Sequence, residues 1–336
     1  SASFGGYDFG QDKGQDLWTF KNNLTLSGIE WHGKHVFKTG VKMSNLDLTA
    51  REGPDATNPV LYYNASTYVL GGNNTPVGAM IFDGDPTVNA HNFQLGVFAQ
   101  DDWTVNEHLT LNLGIRWDWE SNMMNNHYTT PSDVAAAIRG WTNFTKAGFN
   151  PEDYIASTPR DTFMGAFQPR LGFSYDVNGD RDLIIFGGVG RYYDRTMFDR
   201  AQMEPRRQTI HRVQLRFPTD GELQSDYATS TAGLIALARS KNLKGEIFAL
   251  HDDVKVPYSD QFDLGIRKRF GKINTSVTLS HTESYDLFNF IVGNRQADGS
   301  WGNAWAGSHG EQYETTPWGD TIPGYGGLFI SSNDRR

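Results

Sequence analysis

The segment Phe93-Gln94-Leu95-Gly96-Val97-Phe98-Ala99-Gln100-Asp101-Asp102-Trp103-Thr104-Val105 continues, after three residues, as Leu109-Thr110-Leu111-Asn112-Leu113-Gly114-Ile115-Arg116-Trp117-Asp118-Trp119-Glu120. Odd positions are apolar: Phe93, Leu95, Val97, Ala99, Trp103, Leu109, Leu111, Leu113, Ile115, Trp117 and Trp119. Even positions are polar or glycine, and only Phe98 and Asp101 break the rule. Successive side chains of a strand point to opposite faces, so period two over this length predicts a strand pair with one apolar and one polar face. Asn106-Glu107-His108 is the short turn between them.

The same unit recurs along the chain. Trp18, Phe20, Leu24 and Leu26 alternate with Lys21, Asn23, Thr25 and Ser27, and Phe37, Val41 and Met43 continue the apolar face after a turn at Gly28 to Lys34. Pro169, Leu171, Phe173 and Tyr175 alternate with Arg170, Gly172 and Ser174. Asn178-Gly179-Asp180 then turns into Leu183 to Tyr193. Tyr258, Phe262, Leu264, Ile266 and Phe270 alternate with Gln261, Asp263, Gly265, Arg267 and Arg269, followed by Gly271-Lys272 and by Ile273, Thr275, Val277 and Leu279. These segments predict about ten strands in five hairpins.

Connection lengths carry a second signal. Turns within hairpins are short, whereas the segments from Leu46 to His91, Ser121 to Thr162, Asp194 to Pro257 and Leu287 onward are long. Loops beyond about 15 residues are uncommon in a compact soluble domain. Strict alternation of short and long places all turns at one end and all loops at the other. Transmembrane β-barrels have this asymmetry, with short periplasmic turns and long extracellular loops.

Aromatic placement agrees. Trp103 precedes a short turn, and Trp117 and Trp119 lie near the far end of the next strand. Ten residues at about 3.3 Å each, tilted about 40°, span roughly the 25 Å apolar band of such a barrel. Tyr175 flanks another turn, and Tyr258 and Tyr285 occupy far ends, as a membrane girdle requires. Composition fits as well: mean hydropathy is −0.53, yet 13% of residues are aromatic and 36 are glycine. Alternation hides an apolar face from any average. No run of about 18 apolar residues exists for a helical span, and the absence of cysteine removes disulfide staples and thiolate sites. The net charge of −9 argues against a nucleic-acid partner. The start, Ser1-Ala2-Ser3-Phe4-Gly5-Gly6, shows no signal-peptide pattern.

The long loops hold structure of their own. Ser132 to Arg139 predicts a helix capped by Ser132, Thr231 to Lys241 a second, and Ile210 to Phe217 a strand rising above the membrane.

Gly96-Val97-Phe98-Ala99-Gln100-Asp101-Asp102-Trp103 with Leu109 to Asp118 resembles the barrel of TonB-dependent outer-membrane receptors. Phe167 to Tyr175 and Pro257 to Ile266 look like further strands of that family, and the overall look is closest to its Oar-like branch. The resemblance implies an all-β, antiparallel transmembrane barrel. In that family the barrel has about 22 strands and a plugged lumen. The expectation is therefore that residues 1–336 form a middle section of a barrel, with the plug domain and C-terminal strands not present. It also implies localisation in a Gram-negative outer membrane and non-enzymatic, TonB-dependent uptake of an unidentified substrate. A structural or adhesive protein and a passive porin are the alternatives. Implied partners are outer-membrane lipid, lipopolysaccharide and the TonB complex; no cofactor is implied.

Candidate contacts follow from the polar face. Arg116, Asp118, Glu120, Arg170, Asp263, Arg267 and Arg269 would line the lumen, or simply pair across strands. Arg200, Arg206, Arg207 and Arg212 form a basic run in an acidic chain, suited to an anionic ligand or lipopolysaccharide phosphate, or to balancing Asp194, Asp199 and Glu204. No Gly-x-Ser-x-Gly or His-Glu-x-x-His motif occurs. His32 and His35 read as surface residues, and Asp176 to Asp182 as a hairpin turn rather than a calcium loop. Asp83, Asp85, Asp252 and Asp253 sit in long loops as weak cation candidates.

Overall fold

The computed structural model describes residues 11–52, 59–62, 78–146, 148–195, 202–216, 230–292, 322, 325 and 328–333. The strands in chain order are β1 (Gln11–Glu30), β2 (Lys34–Glu52), β3 (Val60–Tyr62), β4 (Gly78–Asp83), β5 (Thr87–Thr104), β6 (Leu109–Glu120), β7 (Ala166–Asp176) and β8 (Leu183–Tyr193), then β9 (His211–Arg216), β10 (Ile247–Leu250), β11 (Tyr258–Phe270), β12 (Ile273–Tyr285), β13 (Asn289–Val292) and β14 (Leu328–Ser332). Among the described residues four helices interrupt them: α1 (Ser132–Gly140), α2 (Thr142–Lys146), α3 (Met203–Thr209) and α4 (Thr231–Ser240), with a 3₁₀ turn at Pro151–Tyr154.

One antiparallel sheet dominates, in the order β1-β2-β5-β6-β7-β8-β11-β12. It is a meander of four hairpins whose tight turns all lie at one end, while every long connection leaves from the other. The described residues thus hold eight strands of this sheet, where about ten in five hairpins were expected. The remaining extended segments belong elsewhere: β3-β4-β9 and β10-β14-β13 form two small three-stranded sheets. Ile210 to Phe217 supplies β9, in one of these rather than in the main sheet.

Register confirms the two faces. Val97 pairs with Trp117 and Val41, Leu171 with Leu113 and Val189, and Phe262 with Val189. This apolar face is open to the surroundings: Ile115 is 50% exposed, Leu264 55% and Leu279 75%. A soluble protein does not leave so large a contiguous apolar surface uncovered. Both exceptions to the alternation have local causes. Phe98 lies on the polar face over Gly40, where an added Cβ would come within 2.6 Å of its ring. Asp101 lies on the apolar face because His35 lies beside it there; His35 Nδ1 and Asp101 Oδ2 are 2.7 Å apart.

The buried cores sit in the long connections, which fold together as a cap over one end of the sheet. Ser230 caps α4, its hydroxyl accepting from the Gly233 amide at 3.1 Å. The helix buries Leu234, Leu237 and Ala238 on Ala79, Ile81, Val213 and Leu215. In α1 the N-cap is Pro131, not Ser132 as the sequence suggests, and no side chain caps it. That helix buries Val134 and Ile138 with Phe144, Tyr154, Ile247 and Ile330. At cap height the polar face of the sheet turns apolar, and Leu46 and Leu48 are buried against Ala90.

Candidate functional site

The polar face begins, at the turn end, with ordinary turn chemistry. The Asp176 carboxylate accepts from the Gly179 and Arg181 amides at 3.1 and 2.8 Å, which makes Asp176 to Asp182 a turn in which that carboxylate is already used. Arg269 closes it from the neighbouring hairpin by pairing with Asp182. Further along, Arg267 stacks on Phe186 and Arg170 on Tyr192, with ring centroids 5.5 and 4.5 Å away. Such stacking fixes a guanidinium while leaving its N–H donors open.

Arg170 borders a recess of about 420 Å³ floored by Gly114, Gly172, Gly188 and Gly190 and edged by Arg116, Gln261 and Asp263. Glycine matters here for close approach: the Tyr192 ring lies against Gly190, where a Cβ would stand 2.9 Å from the phenol oxygen. Lys38 and Asp102 pair at 2.5 Å on the same face, with Gln100 and Asn112 both donating to Asp102.

At the cap end Arg116, Asp118 and Glu120 come together. Arg116 holds Asp118 through two bonds of 2.8 and 2.6 Å, and Arg195, arriving from the connection after β8, binds the same carboxylate. Gln168 donates to it at 2.5 Å. Glu120 accepts from Asn92 at 2.7 Å and from Gln94 at 3.2 Å. Asp118 and Glu120 are buried beneath the cap. Arg195 carried no periodic signal in the sequence, and its part in this cluster is visible only in three dimensions.

The cap itself is joined by a buried ion pair. Arg160 donates to both oxygens of Glu204 at 2.8 and 2.9 Å, and also to the carbonyls of Met124 and Leu250. Asn125 donates to the same Glu204, and Tyr128 reaches Gln208 one turn along α3. Burial, reinforced by the Glu204 charge, pushes the Tyr128 phenol well above its ordinary range.

Of the basic run, Arg200 lies outside the described residues. Arg206 is buried, Arg207 faces Glu246 at 3.6 Å, and Arg212 lies against the Met80 sulfur. The described members are packed into the cap instead of forming an open cationic surface, and Glu204 takes Arg160 as its partner. Asp83 is likewise engaged, by Arg239 through two bonds, and Asp252 faces Arg160 at 3.2 Å. His35 is not a surface residue: it is 4% exposed, stacked between Phe37 and Trp103, with Nε2 2.8 Å from the Trp31 carbonyl oxygen.

On the apolar face, aromatic residues gather at both ends. Trp103 donates to the His32 carbonyl beside one turn, and Tyr175 lies near His108 beside another. Trp117 donates to the Met164 carbonyl at the cap end, Trp119 packs near Phe93, and Tyr258 stacks on Tyr285.

A family profile described as outer membrane beta barrel domain matches residues 1–299. The chain belongs to that family. The barrel therefore resides in the outer membrane, its apolar face turned to lipid. Among solved structures it is similar to the outer-membrane transporter YddB from Escherichia coli, at 13% identity and a TM-score of 0.55, over 96% of this chain and 29% of that one. It is also similar to the ferric enterobactin receptor PfeA from Pseudomonas aeruginosa, at 11% identity and a TM-score of 0.46, over 95% and 31%. A third is the alcaligin receptor FauA from Bordetella pertussis, at 12% identity and 0.39, over 86% and 32%. The barrel section spans about a third of the length of these structures. No curated protein sequence matches it.

Proposed function

We propose that this barrel section belongs to a TonB-dependent outer-membrane receptor that imports a solute. The observation that carries the reading is the geometry of the eight-stranded meander: tight turns at one end, and at the other long connections packed into a cap that covers part of the polar face. A passive porin needs an open mouth, and an adhesin needs no structured polar wall beneath its loops. Similarity to a transporter at the level of fold supports the same choice.

On this reading the polar face lines the lumen. Arg116, Asp118 and Glu120 stand at its outer mouth, Arg170 and Asp263 at the recess, and Arg267 and Arg269 toward the periplasm. Trp103 and Tyr175 form the inner girdle, and Trp117, Trp119, Tyr258 and Tyr285 the outer one. The two edge strands, β1 and β12, have no further neighbour among the described residues. Open edges are not tolerated in hydrocarbon, so further strands pair with them in the working barrel. TonB and lipopolysaccharide are the partners this reading assigns, and kinship with the Oar-like branch rests on the strand phrases quoted above.

The test uses two strains, one lacking this gene and one lacking tonB, on media that each supply a single ferric chelate or a single peptide source. Both strains failing on the same source is the expected result. A gene-deleted strain that grows normally on every source, or a purified protein giving steady open conductance in a planar bilayer, refutes the reading.

A further inference from the structure

The register of the first hairpin places Lys21 directly opposite Lys42 on the polar face. Like charges facing each other across a strand pair destabilise it. Neither ammonium has a carboxylate partner among the described residues. The row continues from Lys42 to Gly96 and then to Asp118, whose carboxylate leans back over Gly96 together with the Arg116 guanidinium. That carboxylate is already shared by Arg116, Arg195 and Gln168. Glu120, the next acid, is taken by Asn92 and Gln94. Cations therefore exceed anions along this row, in a chain whose overall charge is −9.

Polar donors flank the pair. In the next pair on this face, two residues along, the hydroxyls of Thr19 and Ser44 lie 3.0 Å apart. In the next pair on this face on the other side, Asn23 faces Gly40, and its Oδ1 and the Phe98 ring lie over that glycine. The row lies at the height of Trp117 and Trp119, the outer end of the apolar band. An unpaired dication, flanked by hydroxyl and amide donors at the outer mouth of the lumen, is chemistry for an anion.

We propose that Lys21 and Lys42 hold an anionic oxygen cluster, a phosphate or a polycarboxylate, of the solute entering the barrel, with Thr19, Ser44 and Asn23 completing its hydrogen bonds. This rests on the transporter reading and names the charge class of its substrate. Charge-assisted hydrogen bonds supply the affinity, and the bound anion relieves the repulsion built into the hairpin.

The test is calorimetric titration of the native protein, extracted from outer membranes in a neutral detergent, with pyrophosphate and with citrate as probes. Saturable binding of one probe and not the other distinguishes phosphate from carboxylate. Loss of two charge-assisted contacts predicts binding at least about tenfold weaker in Lys21→Gln/Lys42→Gln, near-native binding in Lys42→Arg, and no change in the lipid-side control Lys268→Gln. Melting supplies an independent readout: the probe raises the wild-type midpoint but not that of the double variant, which without probe melts at or above wild type. No saturable binding of either probe to wild type overturns the proposal, as it would if a strand paired to β1 neutralised Lys21. Equal binding by wild type and double variant overturns it too. Because these readouts are made on isolated protein, a failed uptake assay with intact anion binding would count against transport and leave the site standing.

Discussion

Arg160 and Glu204, 44 residues apart in the chain, meet in a two-pronged ion pair that water scarcely touches, with side chains 3% and 0% exposed. Arg160 comes from the connection between β6 and β7, and Glu204 from α3 in the connection between β8 and β11. The pair therefore makes one body of two segments that the sequence presents as separate loops. It binds backbone from both, through the Met124 and Leu250 carbonyls and the Leu250 amide.

Removing one partner leaves a buried charge uncompensated, which costs about 3–5 kcal/mol. Arg160→Met is expected to loosen the cap while the membrane strands stay folded. Protease added to intact cells should cleave the variant in its cap and spare wild type. Heat-modifiable migration of the barrel should be the same for both.

Lipid exposure of the apolar face predicts an asymmetry between neighbouring positions. Ile115 points outward near mid-height, and Ile115→Arg is expected to destabilise the barrel by about 2–4 kcal/mol. Asn112→Arg, on the opposite face, is expected to fold with little loss. Urea unfolding in lipid vesicles measures both. Equal effects would remove the membrane assignment of the two faces.

Gly40 is needed for close approach, since an added Cβ would sit 2.6 Å from the Phe98 ring and 2.7 Å from the Asn22 carbonyl oxygen. The ring can turn, but the backbone oxygen cannot. Gly40→Val is expected to cost about 1–3 kcal/mol. Gly40→Val/Phe98→Ala should recover only the part that comes from the ring, read by the same urea titration.

The cap should also loosen in acid. His211 lies at the start of β9, its Nδ1 buried with no hydrogen-bond partner among the described residues. Burial, and then the Lys244 ammonium, hold it below the ordinary imidazole value of 6.5, against a weaker pull from Asp133 and Asp83. The unfolded cap thus binds a proton that the folded cap refuses. Stability from this group is complete above about pH 6.5 and declines as the pH falls from there toward the depressed folded value. The depressed carboxyl of Asp83, held by Arg239, adds a loss in the same direction at lower pH. Protease sensitivity of the cap should rise as the pH falls below about 6.5 in wild type, and His211→Gln should flatten that part of the profile.

Period-two alternation made the membrane strands legible because a strand in a barrel wall answers to two solvents at once. The exceptions were legible only as exceptions. Asp101 needed His35, 66 residues away, and Phe98 needed Gly40, 58 residues away; neither partnership leaves a local trace. Arg116, Asp118 and Glu120 could be assigned to one face by counting. That Arg195 joins them could not, since it stands in a connection with no period.

What the sequence determined by itself is the wall: which residues face lipid, where the turns lie, and which connections are long. Alternation is a local property, enforced residue by residue by the cost of polar groups in hydrocarbon. What only the tertiary structure decided is how the long connections fold and which charges meet. The basic run around Arg206 suits either an anionic ligand or the balancing of neighbouring acids by sequence alone, and only the structure packs its described members into the cap. Lys21 and Lys42, unremarkable in sequence, stand opposed with no carboxylate partner among the described residues. Such pairings depend on register and on contacts between distant segments, and one residue of slip would undo them without altering any local pattern.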